Sequence, residues 1–79
     1  MKTMTCRQLG GACDLEFRAD SFDEMAELSK QHGVKMFQQG DQAHLAAMEA
    51  MKSLMADPNA MQQWFDGKRE EFDALAEEQ

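Results

Sequence analysis

The N-terminal residues alternate between apolar and polar side chains on both sides of a glycine pair, and this pattern limits the folds open to the chain. Residues 2 to 6 and 13 to 19 each place their apolar side chains on one side, which is typical of a half-buried strand. Gly10 and Gly11 lie between them and permit the positive φ angles that a hairpin loop needs. A hairpin is barely stable alone, so its apolar face must pack against another element. The residues expected on that face are Met4, Cys6, Cys13, Leu15 and Phe17.

Helical periodicity after the hairpin predicts three α-helices, over residues 21–39, 41–56 and 58–77. Ser21 and Glu24 have the spacing of a capping box, which marks the start of the first helix. Asp41 is a suitable N-cap for the second helix, and Pro58 suits the first turn of the third. The apolar stripe expected on the first helix consists of Phe22, Met25, Ala26, Ser29, His32, Gly33, Met36 and Phe37.

These elements predict an α+β fold in which an N-terminal two-stranded hairpin, residues 2–19, packs on three helices in the order ββααα. We expect a mostly helical chain, because it contains one Pro, no Tyr and eight Met, so residues that favour strands are scarce. A chain of 79 residues is one domain, 1–79, near the lower size at which a single apolar core suffices.

Acidic residues outnumber basic ones, and this argues against two classes of partner. Fifteen Asp and Glu against eight Lys and Arg give a net charge of −7. Such a surface repels phosphate backbones and anionic lipid headgroups unless it carries a concentrated basic patch, and the basic residues are scattered along the chain. We therefore expect neither nucleic acid nor a membrane as a partner.

The hydropathy pattern predicts a cytoplasmic protein. No segment is apolar for long enough to span a bilayer, and the N-terminus lacks the apolar stretch of an export signal. Thiols stay reduced in the cytoplasm. Two cysteines in a small protein of that compartment indicate packing, metal binding or redox chemistry more than a structural disulfide.

The two cysteines and one histidine form the candidate site. If Cys6 and Cys13 share the apolar face of the hairpin and His32 lies on the apolar side of the first helix, two thiols and an imidazole converge. These are suitable ligands for zinc, whose fourth position would go to water or another side chain. The candidate side chains for that position are His44, Asp14 and Met36. Plain core packing and a redox or disulfide role remain open alternatives, because buried Cys is common in cores.

The run MTCRQLGGACDLEF, the helix start SFDEM and His32 resemble the bacterial and archaeal family called domain of unknown function 1059. Its members carry one early Cys, a second about seven residues later and a helix bearing His, often with a second His followed by Gly about five residues on. This chain has Phe37 and Gln38 at that place. The resemblance covers residues 2 to about 37 and implies that Cys6, Cys13 and His32 belong together. It implies no catalytic residue.

A methionine stripe on the second helix offers two further functions. Met48, Met51 and Met55 follow His44 at helical spacing, so they could hold copper(I), fill the core or form a groove for the apolar helix of a partner. No phosphate loop, Ser-His-Asp set or dinucleotide fingerprint is present, so we expect no enzymatic activity. The sequence favours a small cytosolic module that binds a protein partner or assembles with itself. The alternative is a metal- or redox-responsive protein that uses Cys6, Cys13 and His32.

Overall fold

The chain folds into a two-stranded antiparallel sheet followed by three α-helices, which confirms the predicted ββααα order. The structure is a computed structural model and describes residues 1–77. Its elements are β1 (Lys2–Thr5), β2 (Glu16–Ala19), α1 (Phe22–Gln39), α2 (Gln42–Met55) and α3 (Pro58–Ala74). Residues 78 and 79, which the predicted domain includes, lie outside the described residues.

The paired strands bury the predicted face of the hairpin. Met4 pairs with Phe17, and both side chains are buried. Leu15 was predicted on the same face, but it is 49% exposed. That prediction is wrong because β2 begins at Glu16, so the alternation of a strand does not govern the orientation of Leu15.

A folded loop replaces the predicted ends of the two strands. After Cys6, a short 3₁₀ helix (Arg7–Leu9) turns the chain, and Gly10 follows it with a φ of 93°. The Cys6 N–H donates to the carbonyl of Leu15, and the Arg7 N–H donates to the carbonyl of Cys13. These bonds close the loop, so Cys13 lies in it rather than in a strand.

Helices α1 and α2 begin one residue after the predicted 21 and 41, and α3 begins at the predicted 58. The Ser21 hydroxyl accepts a hydrogen bond from the Glu24 N–H at the start of α1, and Gly40 ends that helix in the left-handed conformation. Helix α3 ends at Ala74, three residues before the predicted 77, because Leu75 adopts an extended conformation. Phe37 was predicted on the buried stripe of α1, but it is 64% exposed. It lies in the last turn of that helix, beyond the core.

The core is small and lies between the hairpin and the start of α1. Within residues 1–77 the buried apolar side chains are Met4, Cys6, Leu9, Phe17, Ala19, Phe22, Met25 and Phe72. Phe72 of α3 closes this core through an edge-to-face contact with Phe22, with ring centroids 6.0 Å apart. The buried core residues contributed by α1, Phe22 and Met25, both come from its first turns.

Replacing a fully buried methionine should lower the free energy of unfolding far more than the same change at the surface. Met25 is fully buried, so Met25→Ala should lower the free energy of unfolding by about 2–5 kcal/mol. Met55 is 61% exposed, and Met55→Ala should change the free energy by about 0.5 kcal/mol or less. Urea unfolding of the two variants beside the parent measures both values. Equal losses would contradict the assignment of the core.

Candidate metal centre

Four metal-ligating side chains meet at one place: Cys6, Cys13, His32 and His44. One sulfur or nitrogen atom from each lies within 4.8 Å of the others. The residues come from the hairpin loop, α1 and α2. The structure thus brings together the three predicted site residues and adds His44 as a fourth.

The hairpin loop presents the two thiols. Cys6 is 4% exposed, whereas Cys13 is half-buried. The Cys6 carbonyl accepts hydrogen bonds from the N–H groups of Leu9 and Gly11, at 3.1 and 2.8 Å. A side chain at Gly11 would place its Cβ in overlap with the Cys6 sulfur. Glycine is therefore required at position 11 for the loop to pass so close to the thiol.

The two imidazoles reach the thiols from neighbouring helices. The Nε2 atom of His32 lies 3.3 Å from the Cys13 sulfur, and Nε2 of His44 lies 3.5 Å from the Cys6 sulfur. The His32 ring packs edge-on against Phe17 and against the ring of His44, with centroid distances of 5.6 and 5.2 Å. Each thiol therefore has an imidazole nitrogen as its neighbour.

These distances fit a tetrahedral zinc ion. Bonds of about 2.3 Å to sulfur and about 2.0–2.1 Å to nitrogen place the sulfur and nitrogen atoms of a tetrahedron about 3.5 Å apart. The two direct thiol–imidazole contacts, Cys13–His32 and Cys6–His44, have sulfur–nitrogen distances of 3.3 and 3.5 Å. Separations within the cluster reach up to 4.8 Å, about 1 Å more than the tetrahedral spacing, so the side chains would draw together around an ion.

Asp41 contacts His44 at the start of α2. One carboxylate oxygen, Oδ2, accepts a hydrogen bond from the His44 backbone N–H at 3.0 Å and lies 2.6 Å from Nδ1 of the same residue. His44 is the third residue of the helix and Asp41 is its N-cap. The N-cap geometry thus places the carboxylate beside the imidazole.

The surroundings shift the acidities of all four site residues. Burial raises the pKa of the Cys6 thiol, whereas a hydrogen bond from the Leu15 backbone N–H lowers the pKa of Cys13. Burial also lowers the pKa of His32, with a further contribution from the nearby His44. The hydrogen bond to Asp41 raises the pKa of His44. The lowered pKa values favour the neutral imidazole of His32 and the thiolate of Cys13, which are the forms that bind metal. The raised pKa values of Cys6 and His44 favour their protonated forms, so metal binding must displace those protons.

Of the other two candidates for the fourth ligand, Asp14 is not part of the cluster. Asp14 is exposed and forms an ion pair with Arg7 at 3.0 Å. Met36 is half-buried on α1, one turn after His32. His44 was among the three candidates, but its sequence spacing does not single it out. The one local signal for His44 is Asp41, three residues before it, and the sequence indicates only a helix cap at Asp41.

The methionine stripe of α2 lines a separate groove. Met48, Met51 and Met55 face Trp64 and Phe65 of α3 across a groove of about 620 Å³. His44 is not part of its lining, because the imidazole contacts Cys6. The predicted copper(I) set is thereby divided between two places.

Comparison with known proteins provides no further identification. No protein-family model, no curated protein and no solved structure matches the chain. Among the helices of residues 1–77, none is both long enough and apolar enough to cross a membrane. The functional interpretation therefore depends on the geometry of the site.

A methyl group at position 11 should expose the Cys6 thiol. Because the added Cβ would overlap the sulfur, Gly11→Ala should cost about 1–3 kcal/mol of stability and speed alkylation of Cys6 in metal-free protein. Gly67→Ala is the control: within residues 1–77, no atom beyond the adjoining backbone of α3 lies within 4 Å of the added Cβ, and alanine should stabilise α3 by up to about 1 kcal/mol. Mass spectrometry of alkylated peptides measures the rates. An unchanged rate in Gly11→Ala would contradict the close approach.

The Asp41–His44 pair should make the stability of the metal-free protein depend on pH. The raised pKa of His44 contributes stability that is complete below its ordinary value of 6.5 and disappears as the pH rises through the raised value. The lowered pKa of Asp41 contributes stability above its ordinary value of 3.8, which disappears as the pH falls through the lowered value. The pair therefore stabilises the fold most between pH 3.8 and 6.5.

Urea unfolding with a chelator tests this window. The stability difference between the parent and Asp41→Asn should be largest inside the window and smaller on both sides. Asp57→Asn makes the same change at the N-cap of α3, where the carboxylate accepts only backbone N–H groups. That control should show no such maximum. A difference for Asp41→Asn that stays constant with pH would contradict the pairing.

Proposed function

We propose that this protein binds one zinc ion through Cys6, Cys13, His32 and His44, and that the ion is structural. The observation that carries this proposal is the convergence of four ligand atoms within 4.8 Å. Clusters of exposed acidic residues are common in proteins that bind no ion there. This cluster consists instead of two thiols and two imidazoles. Two of its four side chains, Cys6 and His44, are buried.

The donor set favours zinc over other divalent ions. Two sulfur and two nitrogen donors in a tetrahedral arrangement suit zinc, whereas calcium and magnesium take oxygen ligands. Copper(I) also accepts thiolates, and the methionines that would add to its donor set line the groove. Zinc therefore matches the site best.

Two features support a structural role for the ion rather than a catalytic one. Four protein ligands fill the tetrahedral shell, so no position is left for a substrate. The apolar core contains eight buried side chains within residues 1–77, and small domains of this size often need a metal to fold stably. We therefore propose a protein without enzymatic activity.

The interaction hypothesis from the sequence stays a prediction. The groove beside Met48 and Trp64 is a candidate contact surface, but no described contact identifies its occupant. The resemblance to the domain of unknown function 1059 family and the cytoplasmic location are likewise kept as proposals. Zinc binding is compatible with all three.

Native mass spectrometry of untagged protein purified under reducing conditions tests the proposal. We expect one zinc ion per chain, its loss in Cys6→Ser, and weaker but measurable binding in His44→Ala, which keeps three of the four ligands. Met48→Ala, one turn along α2 and outside the cluster, should keep the ion. At zinc concentrations 100-fold above Kd, binding should add about 2.7 kcal/mol of stability, and excess chelator should remove this increment.

Each competing interpretation has its own result in that experiment. A metal-free parent whose double Cys→Ala variant folds normally would indicate plain packing. A metal-free mass lower by two hydrogens would indicate a disulfide between Cys6 and Cys13, because the chain has no other cysteine. A dimer mass would support self-assembly.

A further inference from the structure

We propose that Asp41 is a positioning residue for the metal centre and holds the His44 imidazole in the tautomer and orientation that bind zinc. This inference rests on the zinc site proposed above. Asp41 itself does not touch the ion, because its carboxylate lies at the far ring nitrogen, Nδ1. It would act only through His44.

The geometry of the ring determines which nitrogen binds metal. With Nδ1 only 2.6 Å from the Asp41 carboxylate, the ring proton is on Nδ1 and is donated to the carboxylate. The lone pair is then on Nε2, the atom that faces the Cys6 sulfur at 3.5 Å. A carboxylate that accepts the second N–H of a metal-binding histidine fixes the ring and increases its basicity as a ligand.

The carboxylate is itself held in place by the helix. Its Oδ2 atom also accepts the backbone N–H of His44, so the cap and the ring contact share one oxygen. The His44 side chain is 7% exposed, whereas that of Asp41 is 42% exposed. A buried ring whose outer nitrogen meets a solvated carboxylate can rotate little without losing that hydrogen bond.

The second histidine has no equivalent support. Among the described residues, the hydrogen bond found for the His32 ring is the one to Cys13. Packing against Phe17 and against His44 holds that ring instead. Removing the Asp41 carboxylate should therefore disturb one of the two imidazole ligands and leave the other in place.

Helix α3 provides a matched control for the capping function. Asp57 is its N-cap and accepts the N–H groups of Asn59 and Ala60, without contact to a histidine. Asp41→Ser and Asp57→Ser each replace one good N-cap by another. The first change removes a carboxylate from the metal centre and the second does not.

The test measures the zinc Kd of both variants by competition with a chelator, together with cobalt(II) spectra. We expect Asp41→Ser to weaken zinc binding about 10- to 100-fold and to shift the cobalt(II) bands. Asp57→Ser should leave both unchanged. In a His44→Ala background, adding Asp41→Ser should have no further effect on the Kd, because its partner is gone. Asp41→Asn keeps a neutral acceptor and should give an intermediate Kd; it replaces the serine variant if that one does not fold.

Three results would overturn the inference. The first is an equal Kd for Asp41→Ser and Asp57→Ser. The second is a loss of affinity that persists in the His44→Ala background, which would indicate a general effect of the cap. The third is a parent protein that binds no zinc, which would overturn the proposed function as well. If the parent binds zinc and Asp41→Ser binds it with the same Kd, only the positioning function is refuted.

Discussion

One cluster of thiols and imidazoles links the hairpin loop to α1 and α2. Cys6 and Cys13 come from the loop, whereas His32 and His44 come from α1 and α2. The apolar core lies mainly under the hairpin and the first turns of α1. The cluster therefore connects α2 to the hairpin loop and α1 at a place where apolar burial is limited. A bound metal ion would strengthen this contact.

The cluster has two unequal halves. Cys6 and His44 are buried, and Asp41 supports the imidazole. Cys13 and His32 are half-buried and more accessible to water. The Cys13–His32 side of the proposed zinc site is therefore the side nearer to solvent.

The sequence predicted the elements well because their signals are local. Caps and periodicity depend on residues three or four apart, and helix α1 begins after Ser21 and ends at Gln39, as they predict. The errors at Leu15 and Phe37 arise where a periodic pattern was extended beyond the packed part of its element. Alternation indicates a face only while the chain remains in a strand, and a helical stripe is buried only where another element covers it.

The sequence alone determined the ββααα order and predicted that Cys6, Cys13 and His32 form one candidate site. Only the tertiary structure selected His44 among the candidate fourth ligands and placed Asp41 behind it. The reason is physical: the turn at Gly40 brings the start of α2 back beside α1, and no periodicity spans a reversal of the chain. Capping residues can be identified from sequence, but the packing angle of two helices determines which side chains meet across them.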